Sequence, residues 1–224
     1  MIPFLNHLAE GVYDKGIFKA FFLAGGPGSG KTFVTQNIFS GIGLKLVNSD
    51  QHFERKLVKA GYSLSMPVHE MEPRDRIRMQ SKQLASDQMT KYLVGRLGLI
   101  IDGTARDYQL IERQVQLLRT TLGYDCYMIF VNTTLDVALE RNAGRVRRVP
   151  PEITRKSWQG VQANIGKLQY LFGRKNFIIL DNTNANEDVL AKVYKKVKQY
   201  FNAPIQSFTA RRWIVNQLKA KKRA

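Results

Sequence analysis

A chain that carries Gly25-Gly26-Pro27-Gly28-Ser29-Gly30-Lys31-Thr32 straight after an apolar run has few folds open to it. The spacing is G-x-x-x-x-G-K-T. Glycine lets the backbone turn tightly, so that several N–H groups point at one anion. The flanks agree with that job. Ile17-Phe18-Lys19-Ala20-Phe21-Phe22-Leu23-Ala24 has the apolar character of a buried strand, and Phe33-Val34-Thr35-Gln36-Asn37-Ile38-Phe39 suits a helix. Strand, loop and helix therefore follow in the order a phosphate cradle needs, with the positive end of the helix dipole aimed at the anion.

In this setting Gly26, Gly28, Ser29, Gly30, Lys31 and Thr32 are the expected nucleotide-binding residues. Lys31 is placed to reach the β- and γ-phosphates, and the Thr32 hydroxyl to help hold Mg²⁺. ATP and Mg²⁺ are the expected cofactors.

Five strands are expected, at about 18–24, 44–48, 97–102, 126–131 and 176–180. Helical patterns separate them, at about 32–40, 73–95, 107–121, 134–143, 152–172 and 187–201. This alternation calls for an α/β fold with a parallel sheet covered on both faces. The phosphate loop makes it a P-loop fold, with expected strand order 2-3-1-4-5. Segment 51–72, interrupted by Gly61, Ser63, Ser65 and Pro67, reads as irregular. It either wraps the mouth of the site or is a plain surface loop. Residues 1–203 are expected to form the catalytic domain, with a lid at about 141–175, and residues 204–224 a basic tail. Trp213, Ile214 and Leu218 share one helical face of that tail, so it is a docked helix, a nucleic-acid contact, or both.

Of 224 residues, 44% are hydrophobic, enough for a core, and Cys126 is the sole cysteine, which excludes an intrachain disulfide framework. No apolar stretch reaches the ~18–20 residues of a membrane span. The start of the chain lacks the pattern of a signal peptide. A cytoplasmic protein with no membrane partner is expected.

The formal net charge is +17. Residues 141–175 carry nine Lys and Arg against Glu152 alone, and residues 187–224 carry ten against Glu187 and Asp188. Such concentration points to a polyanionic partner, nucleic acid first, against the plain reading of a well-solvated surface.

Ligands of open α/β sheets sit beyond the carboxyl ends of the strands. The second strand ends in Asn48-Ser49-Asp50. Asp50 either accepts the proton of an acceptor hydroxyl or caps the next helix. The third ends in Asp102-Gly103-Thr104-Ala105-Arg106-Asp107. Asp102 suits a metal-bound water or a bond to Thr32, Thr104 and Arg106 suit acceptor binding, and Asp107 suits a cap. Arg141 and Arg145 stand at i, i+4, a spacing that shares one helix face, and guanidinium forks fit phosphate oxygens. They are the expected catalytic arginines of the lid. After the fifth strand, the amides of Asp181-Asn182-Thr183-Asn184 either meet the nucleotide base or form a plain turn.

Over roughly residues 18–185 the layout resembles the kinase domains of phage polynucleotide kinases and zeta-toxin-like kinases. The resemblance rests on the GGPGSGKT loop, Asp50, and Arg141-Asn142 with Arg145 leading into Val149-Pro150. It implies that Lys31 and Thr32 bind phosphate and Mg²⁺, that Asp50 activates the acceptor hydroxyl, and that Arg145 clamps the phosphates. Asp102 and Thr104 match the polar pair after the third strand. Phe53 stands where the polynucleotide kinases have an arginine for the acceptor phosphate, and Arg55, two residues on, is the candidate replacement. No D-x-D phosphatase motif accompanies the domain. The expected activity is ATP-dependent phosphorylation of a hydroxyl on a nucleic acid, at a 5′-end or a hydroxymethylated base. The alternatives are a small-molecule, nucleotide or zeta-toxin-like kinase, and a nucleic-acid-binding ATPase.

Overall fold

The computed structural model describes residues 12–222 other than Met66. The first eleven residues, where a signal peptide was not expected, lie outside the described residues, as does Arg223 of the tail.

Five strands form one parallel sheet in the expected order β2-β3-β1-β4-β5. They are β1 (Lys19–Ala24), β2 (Lys45–Val47), β3 (Leu99–Asp102), β4 (Asp125–Asn132) and β5 (Phe177–Asp181). In register, Lys19 lies opposite Asp125 and Lys45 opposite Leu99, so all strands start at one end of the molecule and finish at the other.

Side chains alternate between the two faces, and both are covered. Phe21, Leu23, Ile100 and Ile129 pack beneath α1 (Lys31–Ile38) and α8 (Glu187–Asn202). Phe22, Ile101, Met128 and Phe130 pack beneath α3 (Met71–Val94), α4 (Tyr108–Gln116), α7 (Ile165–Phe172) and α9 (Phe208–Lys221). Burial of the central strands explains why they read as continuous apolar runs rather than as alternating ones. Cys126 is buried there, and burial pushes its thiol up to about 12, an inert group.

Three expectations need correction. Residues Ser49–Lys59 form a regular helix, α2, inside the segment read as irregular. Its apolar content is a single stripe, with Phe53 and Leu57 buried at i, i+4, which is enough to dock a short helix. The pattern at 152–172 is two helices, α6 (Pro151–Gln162) and α7, broken at Ala163 and Asn164. Asn164 leaves the helical run to donate its side-chain amide to the carbonyls of Ala105 (3.1 Å) and Arg106 (2.8 Å). Finally, α5 (Leu135–Ala143) stops at Gly144, so Arg145 is outside it and does not share a helix face with Arg141.

Residues 204–224 were left open between docking and nucleic-acid contact. Of these, residues 208–221 dock on the body as α9. Ser207 caps the helix by accepting from Ala210 N, Ala210 is buried, and the Trp213 ring meets Phe18 edge-on at 5.4 Å. Within the expected lid, Val161, Leu168 and Phe172 join the core, and residues 144–150 form a loop between α5 and α6.

Candidate active site

The phosphate loop leaves β1 and ends at Gly30, whose left-handed φ of 91° precedes the first turn of α1. A side chain at Gly30 would collide with Asn182, whose Nδ2 donates to the Ser29 carbonyl at 2.7 Å. The residue after β5 thus holds the loop. Gly26 lies under α6, where an added Cβ would sit 3.5 Å from the Trp158 Cα, and the Trp158 indole donates to the Thr133 carbonyl at 2.9 Å. The loop is therefore fixed from two sides. Lys31 donates to the carbonyls of Gly25 (2.6 Å) and Gly26 (3.3 Å). Burial lowers the Lys31 pKa; Asp102 and Asp50 oppose this, and Arg145 and Arg147 add to it. Thr32 is exposed at the head of α1.

Asp50 is not the cap of α2. Asn48 fills that position, its Oδ1 accepting from Asp50 N at 2.7 Å and from Gln51 N at 3.4 Å. The Asn48 Nδ2 meanwhile donates to Asp102 Oδ2 at 2.6 Å. One amide therefore fixes the spacing between the helix that carries Asp50 and the strand that carries Asp102.

With its backbone secured by Asn48, the Asp50 side chain is left for other partners. Arg78 Nη1 lies 2.6 Å from one carboxylate oxygen and Arg147 Nη2 lies 3.3 Å from the other. Arg147 also donates to Glu54 at 2.6 Å. The Arg78 guanidinium stacks 3.7 Å above the centre of the Phe53 ring. Burial raises the Asp50 pKa, but Arg147 and Arg78 together outweigh it and hold the carboxyl below its ordinary value.

Asp102 behaves in the opposite sense. Burial raises its pKa; Lys31 and Arg145 pull it down, and Asp50 pushes it up again. Its Oδ1 is buried and has no hydrogen-bond partner. A buried carboxylate oxygen with spare acceptor capacity, beside a phosphate loop, is a fitting ligand for a hydrated divalent cation. Among the described residues no group of three His, Cys, Asp or Glu could hold a metal on its own. That suits a cation held chiefly by substrate phosphates, as Mg²⁺ usually is.

The remaining expected residues separate. Arg145 is half-buried and its charge acts on both Lys31 and Asp102. Arg141 instead donates to the carbonyls of Asn182 (2.8 Å) and Thr183 (3.0 Å), beside Gly30. The loop between them is closed by Asn142, which bonds both the N–H and the carbonyl of Val149. Thr104 flanks the phosphate loop, its carbonyl accepting from Gly25 N at 3.3 Å. Ala105 holds a φ of 57°, a strained conformation for a non-glycine residue, and the Asn164 amide secures it. Arg106 is exposed, its stem resting against Gly160 of α6. Asp107 caps α4, as one reading expected. Arg55 is exposed on α2, five residues from Asp50 and so turned well away from it, and is not brought to the site.

Asn48, Arg78 and Arg147 had no individual role in the sequence reading. Arg147 was visible only as one arginine among four. Nothing in the sequence ties Arg78, in the middle of a long polar helix, to Asp50.

A phosphate loop whose lysine faces two strand-end carboxylates, under an arginine loop, defines a P-loop kinase. The chain belongs to the AAA domain family of such kinases, matched over residues 21–168. Enzymes of this class move a phosphoryl group from a nucleotide to an acceptor hydroxyl.

Similar folds occur in several solved structures. The AvrRxo1-ORF1:-ORF2 complex with ATP is 16% identical, with a TM-score of 0.60 over 90% of this chain and 69% of that one. The PezAT chromosomal toxin-antitoxin system of Streptococcus pneumoniae is 17% identical, with a TM-score of 0.56 over 98% of this chain and 94% of that one. The deoxyadenosine kinase of M. mycoides with bound dATP is 13% identical, with a TM-score of 0.51 over 80% and 99%. These likenesses are of fold. Comparison with curated proteins returns no match. Among the described residues no helix is long and apolar enough to cross a membrane.

Proposed function

We propose that the protein transfers the γ-phosphate of ATP to a hydroxyl of a nucleic acid, at a 5′-end or a hydroxymethylated base. The observation that carries the transfer chemistry is the cluster of Lys31, Asp50, Asp102 and Arg145 at the carboxyl ends of β1, β2 and β3. The choice of a polynucleotide is supported by the net charge of +17.

The acceptor hydroxyl oxygen attacks the γ-phosphorus, the bond to the β,γ-bridging oxygen breaks, and ADP leaves. Asp50 receives the hydroxyl proton. A carboxylate kept below its ordinary pKa is fully ionised at neutral pH, so it is available to accept that proton. Lys31 exchanges the carbonyls of Gly25 and Gly26 for phosphate oxygens. Arg145 neutralises charge that builds on the transferred group, and the 144–150 loop shields it from water. Thr32 and Asp102 are the residues that would hold Mg²⁺, directly or through water, and the ion would supply positive charge to offset that of the phosphates. Arg141 acts from a distance, by fixing the segment after β5 against the loop.

A second reading, a kinase of a small nucleotide or phosphorylated acceptor, is favoured by the surroundings of Asp50. Arg78 and Arg147 flank the carboxylate closely over Phe53, and a single anionic group suffices to engage both.

Incubation with γ-labelled ATP and Mg²⁺ over a panel of acceptors decides between them. The panel holds 5′-hydroxyl DNA and RNA, hydroxymethylated DNA, nucleosides and nucleotides. Label in an oligonucleotide is the expected result. Label confined to small acceptors overturns the polynucleotide assignment, and ADP release without any labelled acceptor overturns the kinase reading.

A further inference from the structure

The active site accounts for the cations of the 144–150 loop but not for those of α9. We propose that the end of the molecule where the strands begin, faced by α9, is a second polyanion-binding surface, separate from catalysis and suited to a polynucleotide backbone.

Position is the first argument. Trp213 of α9 packs on Phe18, just before β1, whereas the phosphate loop follows Ala24 at the other end of that strand. Six strand residues span roughly 20 Å. That is more than twice the ~8 Å Debye length at physiological salt. Exposed cations on α9 are thus screened from the transferring phosphate, and their charge is of no use to it.

Composition is the second. The apolar side of α9 is spent on the body through Ala210, Trp213 and Ile214. Arg211, Arg212, Lys219 and Lys222 are all exposed. The helix contains no acidic residue. Lys221 lies 4.4 Å from the centre of the Tyr13 ring, which brings the segment bearing exposed Lys15 to the same surface. Of the described acids beside this surface, Asp125 pairs with buried Lys19 at 2.7 Å, and Asp14 accepts from Gly16 N at 2.7 Å. The charge of Asp14 is outnumbered by the exposed cations Lys15, Arg211, Arg212, Lys219 and Lys222.

Chemistry selects the partner. Insertion into a lipid surface needs a continuous apolar helix face, but α9 packs Ala210, Trp213 and Ile214 against the body and leaves only Phe208 and Val215 as exposed large apolar side chains. A phosphate backbone needs only spaced cations, and stacking platforms for bases add to the attraction. Phe208 and Tyr13, 74% and 71% exposed, offer such ring faces beside the cations. The surface extends the polynucleotide reading but is tested without turnover.

The experiment is fluorescence anisotropy with a labelled single-stranded DNA of about 20 nucleotides, from 50 to 200 mM salt. The parent is compared with the combined variant Arg211→Gln, Arg212→Gln, Lys219→Gln, Lys222→Gln. At about 0.7 per phosphate contact, the slope of log K against log salt should flatten by about 3. A charge-matched control, Lys59→Gln, Lys82→Gln, Lys192→Gln, Lys195→Gln, should flatten it by less than about 1. If the first variant melts early, Arg212→Gln with Lys219→Gln should give about half its effect. Equal flattening by the control, or no parent binding, overturns the proposal. So does α9-dependent binding to phosphatidylserine vesicles that exceeds binding to DNA. A protein that phosphorylates no oligonucleotide yet shows the α9-dependent slope keeps this surface and loses the acceptor assignment. Oligonucleotide phosphorylation with an unchanged slope does the reverse.

Discussion

Arg147, where the strands end, is 8% exposed and is held by Glu54 and Asp50. Arg212, where the strands begin, stands on the solvent face of α9. The two arginines belong to the charge-rich segments of one chain, yet their surroundings differ because burial sets the cost of a charge. A guanidinium removed from water needs carboxylates or carbonyls around it, since an unpaired buried ion is strongly destabilising. A guanidinium on a helix whose apolar side is docked elsewhere needs nothing. On the function proposed above, cations at the catalytic end bind a ligand by exchanging partners, in fixed geometry. On the same proposal, cations at the other end bind a polyanion by charge alone, with little geometry at all. The first mode gives specificity and transition-state stabilisation; the second gives salt-dependent affinity.

The sharpest way to break this contrast is Asp50→Asn. The amide keeps the shape but accepts no proton. We expect kcat to fall by ~10²–10⁴ with ATP binding retained, read by single-turnover rates and nucleotide titration. The pH profile gives an independent check. Because the Asp50 pKa is depressed, its charged form persists below the ordinary carboxylate value, and both its activity and its pairing with Arg78 and Arg147 are lost only as pH falls through the lowered value. An Asp50 carboxyl carbon that titrates by NMR at or above the ordinary value of 3.8 would contradict the arginine pairing; the Asp102 carboxyl, raised by burial, is resolved separately.

Lys31→Ala comes next. It removes a charge whose value rises as the phosphoryl group leaves, so a loss of ~10²–10³ in kcat is expected from a protein with unchanged circular dichroism. Near wild-type turnover would remove the loop lysine from the chemistry.

A stability test probes the other end. Trp213→Ala should cost about 2–3 kcal/mol, on the order of 10² in the folding constant, measured by urea denaturation. Turnover per folded molecule on a short acceptor should not change, because the substitution lies a strand's length from the phosphate loop. A fall in kcat that matches the stability loss would mean that the two ends are not separable.

Arg145→Lys should lower kcat by roughly tenfold with a smaller change in ATP affinity, since it keeps charge and loses the planar fork. Equal losses in both would assign Arg145 to ground-state binding.

The sheet was legible because its central strands are apolar on both faces, and such runs, with Gly-Lys-Thr after the first of them, leave little freedom in order or direction. Asp50, Asp102 and Lys31 were legible because strand ends in a parallel sheet converge. What escaped depends on single side chains reaching across the fold. Residues 49–59 carry only Phe53 and Leu57 as buried apolar positions, so their helix is masked by Gln51, His52, Glu54, Arg55 and Lys56. The capping role fell to Asn48 rather than Asp50, because an Asn also supplies an amide donor for Asp102. The i, i+4 spacing of Arg141 and Arg145 promised a shared face, but Gly144 ends the helix between them.

The smallest effect is expected at Arg55, and it tests the most specific substitution of one residue by another. Under the polynucleotide-kinase resemblance, which expects an arginine where Phe53 stands, proximity in sequence nominates Arg55 for the acceptor, whereas proximity in space nominates Arg78. Arg55 is exposed, and a separation of five residues on a helix turns it well away from Asp50. Arg78 reaches Asp50 at 2.6 Å while stacked at 3.7 Å over the Phe53 ring. Phe53 is fully buried, so its ring serves as a platform that fixes the incoming guanidinium. Arg55→Ala should therefore change kcat and acceptor KM by less than about twofold, the ordinary range for an exposed residue without special contacts. Arg78→Ala should raise acceptor KM several-fold, and Arg78→Lys, which keeps charge but stacks poorly, should recover only part of the loss. Steady-state kinetics with the acceptor varied at saturating ATP separates the two positions. A larger effect at Arg55 than at Arg78 would mean that α2 turns on binding, and that the pairing of Asp50 with Arg78 belongs to the ligand-free state alone.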